Sequence, residues 1–381
     1  MYKYVIAIFL CLPFTSFSQV KLDFHKADSL SYQYYVNSDW KALIKISKEA
    51  FIQNIDSKFM RQRAGYAYFL TNDYYSAINQ YKKALEFDAS DNISREYLYY
   101  SSLYAGSVNT RYYAGKLPGD ATIRLNIKEV KPVESIDTEM ALKTNKAQER
   151  SDQVYYRVGV NSELGYRLSL YQAYAYFEQT ISNILTQQPE YLAILTLTIS
   201  PAWHLKTSYH RLSTRYSNGI YPVNLGLIAI SSQINRFNLE ANASVMNSAS
   251  SSTTQTGLQA SVVLPGRSNL YFTGYAAGMI GNSSFRTIFS QAAGLKIAGN
   301  LWGEGSITIG NLKNYTSHGG LYVYNAYDPT VFRTGGTLVY FAGKHLSIIG
   351  NFTFNKQEYN SDSQNNYYYQ YSYSGGLKWK L

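Results

Sequence analysis

Apolar and polar residues alternate along most of this chain from residue 153 onward, in segments of about 10 to 14 residues separated by turn-forming residues. A period of two is the signature of a strand with different surroundings on its two faces. The segments fall near 153–163, 166–179, 190–200, 203–216, 221–232, 236–247, 254–264, 269–280, 285–297, 300–311, 331–342, 345–356 and 367–381. In one of them Phe237, Leu239, Ala241, Ala243 and Val245 oppose Asn238, Glu240, Asn242 and Ser244. The last is the plainest. Tyr367, Tyr369, Tyr371, Tyr373, Gly375, Leu377, Trp379 and Leu381 share one side, and Tyr368, Gln370, Ser372, Ser374, Gly376, Lys378 and Lys380 share the other.

The connections come in two kinds. Short ones, such as Glu163-Leu164-Gly165, Pro201-Ala202, Gln233-Ile234-Asn235 and Ala342-Gly343-Lys344, alternate with longer ones at 180–189, 248–253, 312–330 and 357–366. Strands that bring both ends of a closed sheet to one side must be even in number, and thirteen segments are visible. The alternating residues Ile123, Leu125, Ile127 and Val130 within 121–133 supply the missing first strand. The sequence therefore predicts about 14 strands, with 12 or 16 as alternatives because 319–327 alternates weakly.

The terminal segment resembles the closing strand of Gram-negative outer-membrane β-barrels, which alternates apolar and aromatic residues up to a hydrophobic last residue. Tyr371, Tyr373, Leu377, Trp379 and Leu381 carry the resemblance, with Leu381 where that family usually has Phe. It implies an antiparallel transmembrane β-barrel, outer-membrane lipid around its apolar face, and the barrel-assembly machinery as a partner. Short turns are then periplasmic and longer loops external. A Lys or Arg facing lipid at mid-bilayer costs about 2–4 kcal/mol, which directs charged residues inward. On this rule His204, Lys206, Ser208, His210, Glu240, Glu304, Arg333 and Lys378 line the lumen. Their first role is a hydrated, ion-paired wall.

Residues 20–106 read differently. Apolar residues recur every three or four positions, predicting helices at 58–71 and 74–87 around an Asn72-Asp73 turn and a third at 92–105 behind Asp91 or Asn92. Gly65, Tyr68, Ala77, Tyr81 and Ala84 stand at offsets that resemble the tetratricopeptide (TPR) framework, with a looser earlier copy through Tyr34, Trp40, Ala42 and Ala50. The fold class is therefore α + β in two domains, helical hairpins followed by a barrel. The resemblance implies a small concave surface for a protein or peptide partner. Residues 107–120 are expected as a linker, 121–381 as the barrel, and 132–152 as a loop or linker.

Met1 to Ser18 has Lys3, an apolar run from Val5 to Phe14 and a Ser16-Phe17-Ser18 site, the parts of a secretory signal peptide cleaved before Gln19. Its removal takes Cys11, the one cysteine, and with it any disulfide, thiol or cysteine-metal chemistry. The composition, 39 Tyr and 26 Gly with 16% charged residues, suits aromatic interfaces and tight turns, while the net charge of +10 says little about fold. Catalytic, phosphate-binding and calcium-binding motifs are absent, so no enzyme activity, cofactor or metal is expected. Nor is a nucleic-acid partner, because the tyrosines are accounted for by lipid interfaces.

A helical module ahead of a barrel resembles, in architecture only, the export proteins of bacterial exopolysaccharide systems. The expectation is an outer-membrane protein whose periplasmic TPR module recruits a protein partner in export, transport or envelope assembly. The alternative is a small passive or gated pore for anionic solutes or exported polysaccharide.

Overall fold

The structure, a computed structural model, describes residues 22–381 apart from 148, 217–218, 250, 267, 282–283 and 362–363. The expected signal peptide lies outside the described residues.

Short polar side chains start the first five helices. Asp23, Asp39, Ser57, Asp73 and Asp91 accept from the backbone N–H three residues on, heading α1 (Phe24–Val36), α2 (Trp40–Ile52), α3 (Lys58–Leu70), α4 (Tyr74–Phe87) and α5 (Asn92–Tyr104). Positive-φ residues Ser38, Asn54 and Asn72 turn the chain back between them. The helices pack as successive antiparallel neighbours around Leu43, Met60, Ala67, Ala77 and Leu98, all buried. At the tightest crossing Tyr81 lies across Gly65. A Cβ at Gly65 would sit 2.8 Å from the Tyr81 ring, so only glycine admits this approach.

Two short helices follow, α6 (Thr110–Ala114) and α7 (Gly119–Arg124). The segment expected as a linker is thus folded, with Tyr113 and Ala114 buried. The strand expected over 121–133 does not form there. Pro118, extended at the N-cap, launches α7, and Asn126 at φ 50° ends the turn after it. The first strand is instead β1 (Lys131–Asn145), in the stretch expected as loop. Its charges do not mark a loop; they occupy one face. Asp137, Glu139 and Lys143 point inward while Ile136, Met140 and Leu142 are exposed outward.

The remaining strands are β2 (Gln153–Glu163), β3 (Leu168–Ile181), β4 (Ile184–Ser200), β5 (Trp203–Tyr216), β6 (Gly219–Ile234), β7 (Phe237–Ser248), β8 (Ser252–Val263), β9 (Tyr271–Gly281), β10 (Ser284–Ala298), β11 (Leu301–Ile309), β14 (Thr330–Ala342), β15 (Leu346–Ser361) and β16 (Gln364–Lys380). With β1 they close a ring of fourteen antiparallel strands, each beside its neighbour in sequence. The ring shuts where β1 meets β16, with Ile136 opposite Trp379, Met140 opposite Gly375 and Leu142 opposite Tyr373. Two connections expected as long loops, 180–189 and 357–366, are largely strand: β3–β4 and β15–β16 rise as tall hairpins. Between β11 and β14 the chain forms a separate two-stranded hairpin, β12 (Tyr315–Ser317) and β13 (Tyr322–Tyr324).

The outside of the ring is apolar. Leu239, Leu258, Phe272, Phe289, Leu338, Phe352, Tyr373 and Leu377 are all exposed, whereas Gln255, Thr353, Gln370 and Ser372 on the opposite face are buried. Among the described residues no helix is long and apolar enough to cross a membrane.

Candidate functional site: the lumen and its inward hairpin

The 310–329 segment turns into the barrel instead of away from it. Its reversal at His318, Gly319 and Gly320 uses left-handed backbone at each residue. A Cβ on Gly320 would collide with Ser208 Oγ of the β5 wall, so glycine is required there for space as well as for φ.

The hairpin is fastened on opposite sides. Tyr322 OH donates to Glu139 of β1 at 2.8 Å, and that carboxylate is also 3.0 Å from Arg157 of β2, whose guanidinium lies 5.4 Å from the Tyr322 ring. Across the bore, Gln255 of β8 forms a two-way amide pair with the hairpin backbone. Its Nε2 donates to the Thr316 carbonyl at 2.9 Å, and its Oε1 accepts from the Thr316 N–H at 3.0 Å. In a ring of fourteen, β1 and β8 are diametrically opposed. Further ties reach β4, where Asn325 donates to Gln188 at 3.0 Å, and the stretch before β2, where Arg150 pairs with Asp328 at 2.6 Å. Tyr368 of β16 also donates to Asp328, at 2.9 Å.

Apolar contacts reinforce these ties. Leu312 and Tyr315 pack on Ala277, Met279 and Ile288, while Val323 packs on Leu225, Leu227, Ala229 and Met246. These wall residues face the lumen, and the strict rule of a polar interior misses them. The available signal was local loss of alternation: around Leu225 to Ile230 both faces of the strand are apolar.

The expected lumen residues lie on the inner wall but do not converge. His210, almost fully buried, has Nδ1 2.9 Å from the Gly320 carbonyl and Nε2 3.1 Å from Glu190. Lys206 pairs with Glu240 at 3.5 Å. His204 Nδ1 meets the Thr198 hydroxyl at 3.2 Å. Glu304 accepts from Tyr271, and the Arg333 guanidinium lies 5.6 Å from the Tyr324 ring. Ser208 Oγ is buried without a hydrogen-bond partner, so neither histidine is placed to activate it. Among the described residues no group of three or more His, Cys, Asp or Glu could hold a metal ion.

The TPR-framework positions are brought together: Gly65, Tyr68, Ala77, Tyr81 and Ala84 all lie at the α3–α4 contact, buried. The helical module as a whole sits on the short-turn end of the barrel. Asn109 Nδ2 donates to the Pro201 carbonyl at 2.9 Å, in the β4–β5 turn, and to Gln233 at 3.1 Å, at the end of β6. Arg111 pairs with Glu163 at 2.7 Å, and Arg236 pairs with Asp73, the N-cap of α4.

No known family model matches the chain, and no curated protein matches it. Solved structures do. The monoaromatic hydrocarbon channel TodX, as a deletion mutant, is 8% identical with a TM-score of 0.46, covering 66% of this chain and 91% of its own. A bacterial polysaccharide outer membrane secretin is 10% identical with a TM-score of 0.43, covering 66% and 99%. The outer membrane protein Omp33 of Acinetobacter baumannii is 10% identical with a TM-score of 0.37, covering 66% and 99%.

Proposed function

We propose that this chain is an outer-membrane conduit of a Gram-negative envelope, held shut by its own inward hairpin and carrying a periplasmic TPR-like module that recruits a protein partner for transport or export. One observation supports the conduit over a mere anchor: the hairpin spans the bore, tied to β1 by Tyr322–Glu139 and to the opposed β8 by Thr316–Gln255. An anchor needs no element braced across its lumen. The lumen carries both signs of charge, Arg157 and Lys206 beside Glu139 and Glu240, which gives no preference for anionic solutes. The module's place on the short-turn rim is the periplasmic side if the short turns are periplasmic, as in other barrels.

The test is single-channel conductance of the full chain in a planar bilayer against a variant in which a short Gly-Ser link replaces 312–328. The expected result is a closed or barely conducting wild type and a stably open variant. If the excised variant inserts and stays silent, the barrel is an anchor.

A further inference from the structure

Where the helical module meets the β2–β3 turn lies a cavity of about 310 Å³, lined by Tyr112, Gly115, Lys116, Glu129, Gly165, Tyr166, Arg167 and Leu168. This is at the small end of the roughly 300–1,000 Å³ usual for ligand sites. Its walls are held firmly. Tyr166 packs against Gly115, where a Cβ would sit 2.7 Å from the ring. Arg111 is engaged, paired with Glu163 at 2.7 Å and donating to the Lys128 and Glu129 carbonyls at 2.9 and 2.6 Å.

The other charges at the cavity, Lys116, Glu129 and Arg167, are exposed at its mouth. The Arg167 guanidinium and the Lys116 ammonium stand 5.0 and 5.9 Å from the Tyr112 ring, and neither forms an ion pair among the described residues. Nor does Glu129. Two free cations and one free carboxylate around one aromatic-walled cavity complement a small zwitterion that carries a phosphate and an ammonium. The cavity's end of the barrel points to the source. The same end of the barrel carries the exposed rings of Trp203 and Trp379, the latter stacked on His345 at 6.1 Å, and such rings sit at the headgroup level.

We propose that this cavity binds the phosphoethanolamine headgroup of a periplasmic-leaflet phospholipid, with Arg167 and Lys116 on the phosphate and Glu129 on the ammonium. The lipid would pin the helical module to the rim. The inference rests on the periplasmic placement of the short turns, though not on conduction through the lumen.

The experiment uses the full chain, purified from vesicles of equal phosphatidylethanolamine, phosphatidylglycerol and phosphatidylcholine, with bound lipid counted by native mass spectrometry. Wild type should retain phosphatidylethanolamine about tenfold over phosphatidylcholine, the ratio that 1.4 kcal/mol corresponds to. The double variant Lys116→Gln, Arg167→Gln should lose retention of all phospholipids at this site. Glu129→Gln should keep binding but lose the preference over phosphatidylglycerol. Equal retention of the three lipids by wild type, or unchanged retention in the double variant, overturns the proposal. So does displacement of the lipid by millimolar inorganic phosphate, which would mean a soluble anion. Heat-modifiable gel mobility of each variant reports whether the barrel is intact, so a failed site and a failed barrel give different results.

Discussion

Two tyrosines show the opposite packing rules of the two regions of this molecule. In the helical module Tyr81 is 1% exposed, stacked on Tyr97 at 5.6 Å and pressed on Gly65. On the barrel Tyr373 is 53% exposed and Tyr369 stacks on Phe354 at 5.3 Å along an outer face. The module obeys the rule for water, apolar inward, and satisfies its backbone within each helix. The barrel reverses the rule and satisfies its backbone only by closing on itself. The first region can therefore lose one contact and loosen locally. The second fails as a whole if its ring does not shut.

The largest effect should follow from breaking the closure. Deleting 375–381 removes the β16 partners of Ser135 through Met140 and leaves β1 with an unpaired edge. In lipid each such backbone group costs several kcal/mol. Membrane insertion, assayed by flotation with vesicles and by heat-modifiable mobility, should be abolished, whereas deleting 22–106 should leave it intact. Insertion of the truncated barrel would show that closure is not what holds this region together.

Next comes the face of the closing strand. Arg in place of Leu377, which is exposed outward one step in from the interfacial Trp379 ring, should destabilise by about 1–2 kcal/mol, between the interfacial and mid-bilayer costs. Lys378→Gln, on the lumen face, should be nearly silent. Gly376 is lumen-facing too, yet a Cβ there would lie 2.7 Å from the Thr138 carbonyl, so its substitution fails for space and not for polarity. Urea unfolding from vesicles separates these cases, and equal tolerance at 377 and 378 would contradict the assigned faces.

What the sequence discloses follows from the same contrast. Strand faces were legible because the period of two survives wherever lipid and water differ, as along 367–381. Helix ends were legible because caps are local: Asp73 and Asp91 stand where the chain must turn. The first strand was misplaced because Asp137, Glu139 and Lys143 make its lumen face look like a loop. The tall hairpins were missed because both their faces are polar, so Gln187, Gln188 and Glu190 give no alternation. The inward hairpin was hidden for another reason. Its partners Glu139, Gln188 and Gln255 are between 61 and 183 residues away, and nothing local in 310–329 shows that they exist.

A comparable effect, confined to the module, is expected from overpacking it. Gly65→Ala drives a methyl into the Tyr81 ring, and Ala77→Trp forces a large side chain between α3 and α4; each should cost about 1–3 kcal/mol. Thermal unfolding of the 22–106 fragment, followed by helical circular dichroism, would register the loss. Barrel insertion of the full-length variants should be unchanged, which separates the two regions. Silence of both substitutions would mean that the α3–α4 contact does not hold the module.

The smallest effect is electrostatic and sits at the end of α4. Asp88 accepts from the Ser90 hydroxyl at 2.7 Å and the Ser90 N–H at 3.0 Å, and it pairs with Lys58 at 3.0 Å. These contacts favour the carboxylate, the Ser90 hydroxyl most, and hold its pKa down to about 2 from an ordinary 3.8. A depressed carboxylate pKa stabilises the folded form above the unfolded value and loses that contribution as pH falls through the folded value. The contribution should be whole at neutral pH, decline below about pH 4 and vanish near pH 2. Because other carboxylates titrate there too, the readout is the difference in melting temperature between wild type and Asp88→Asn. It should be small and constant from pH 7 to about pH 5, then shrink toward zero in acid. Added salt should weaken the Lys58 part and spare the Ser90 part, since screening acts on exposed charge pairs more than on short hydrogen bonds. A difference that stays constant down to pH 2 would show that the carboxylate charge contributes nothing at this helix end.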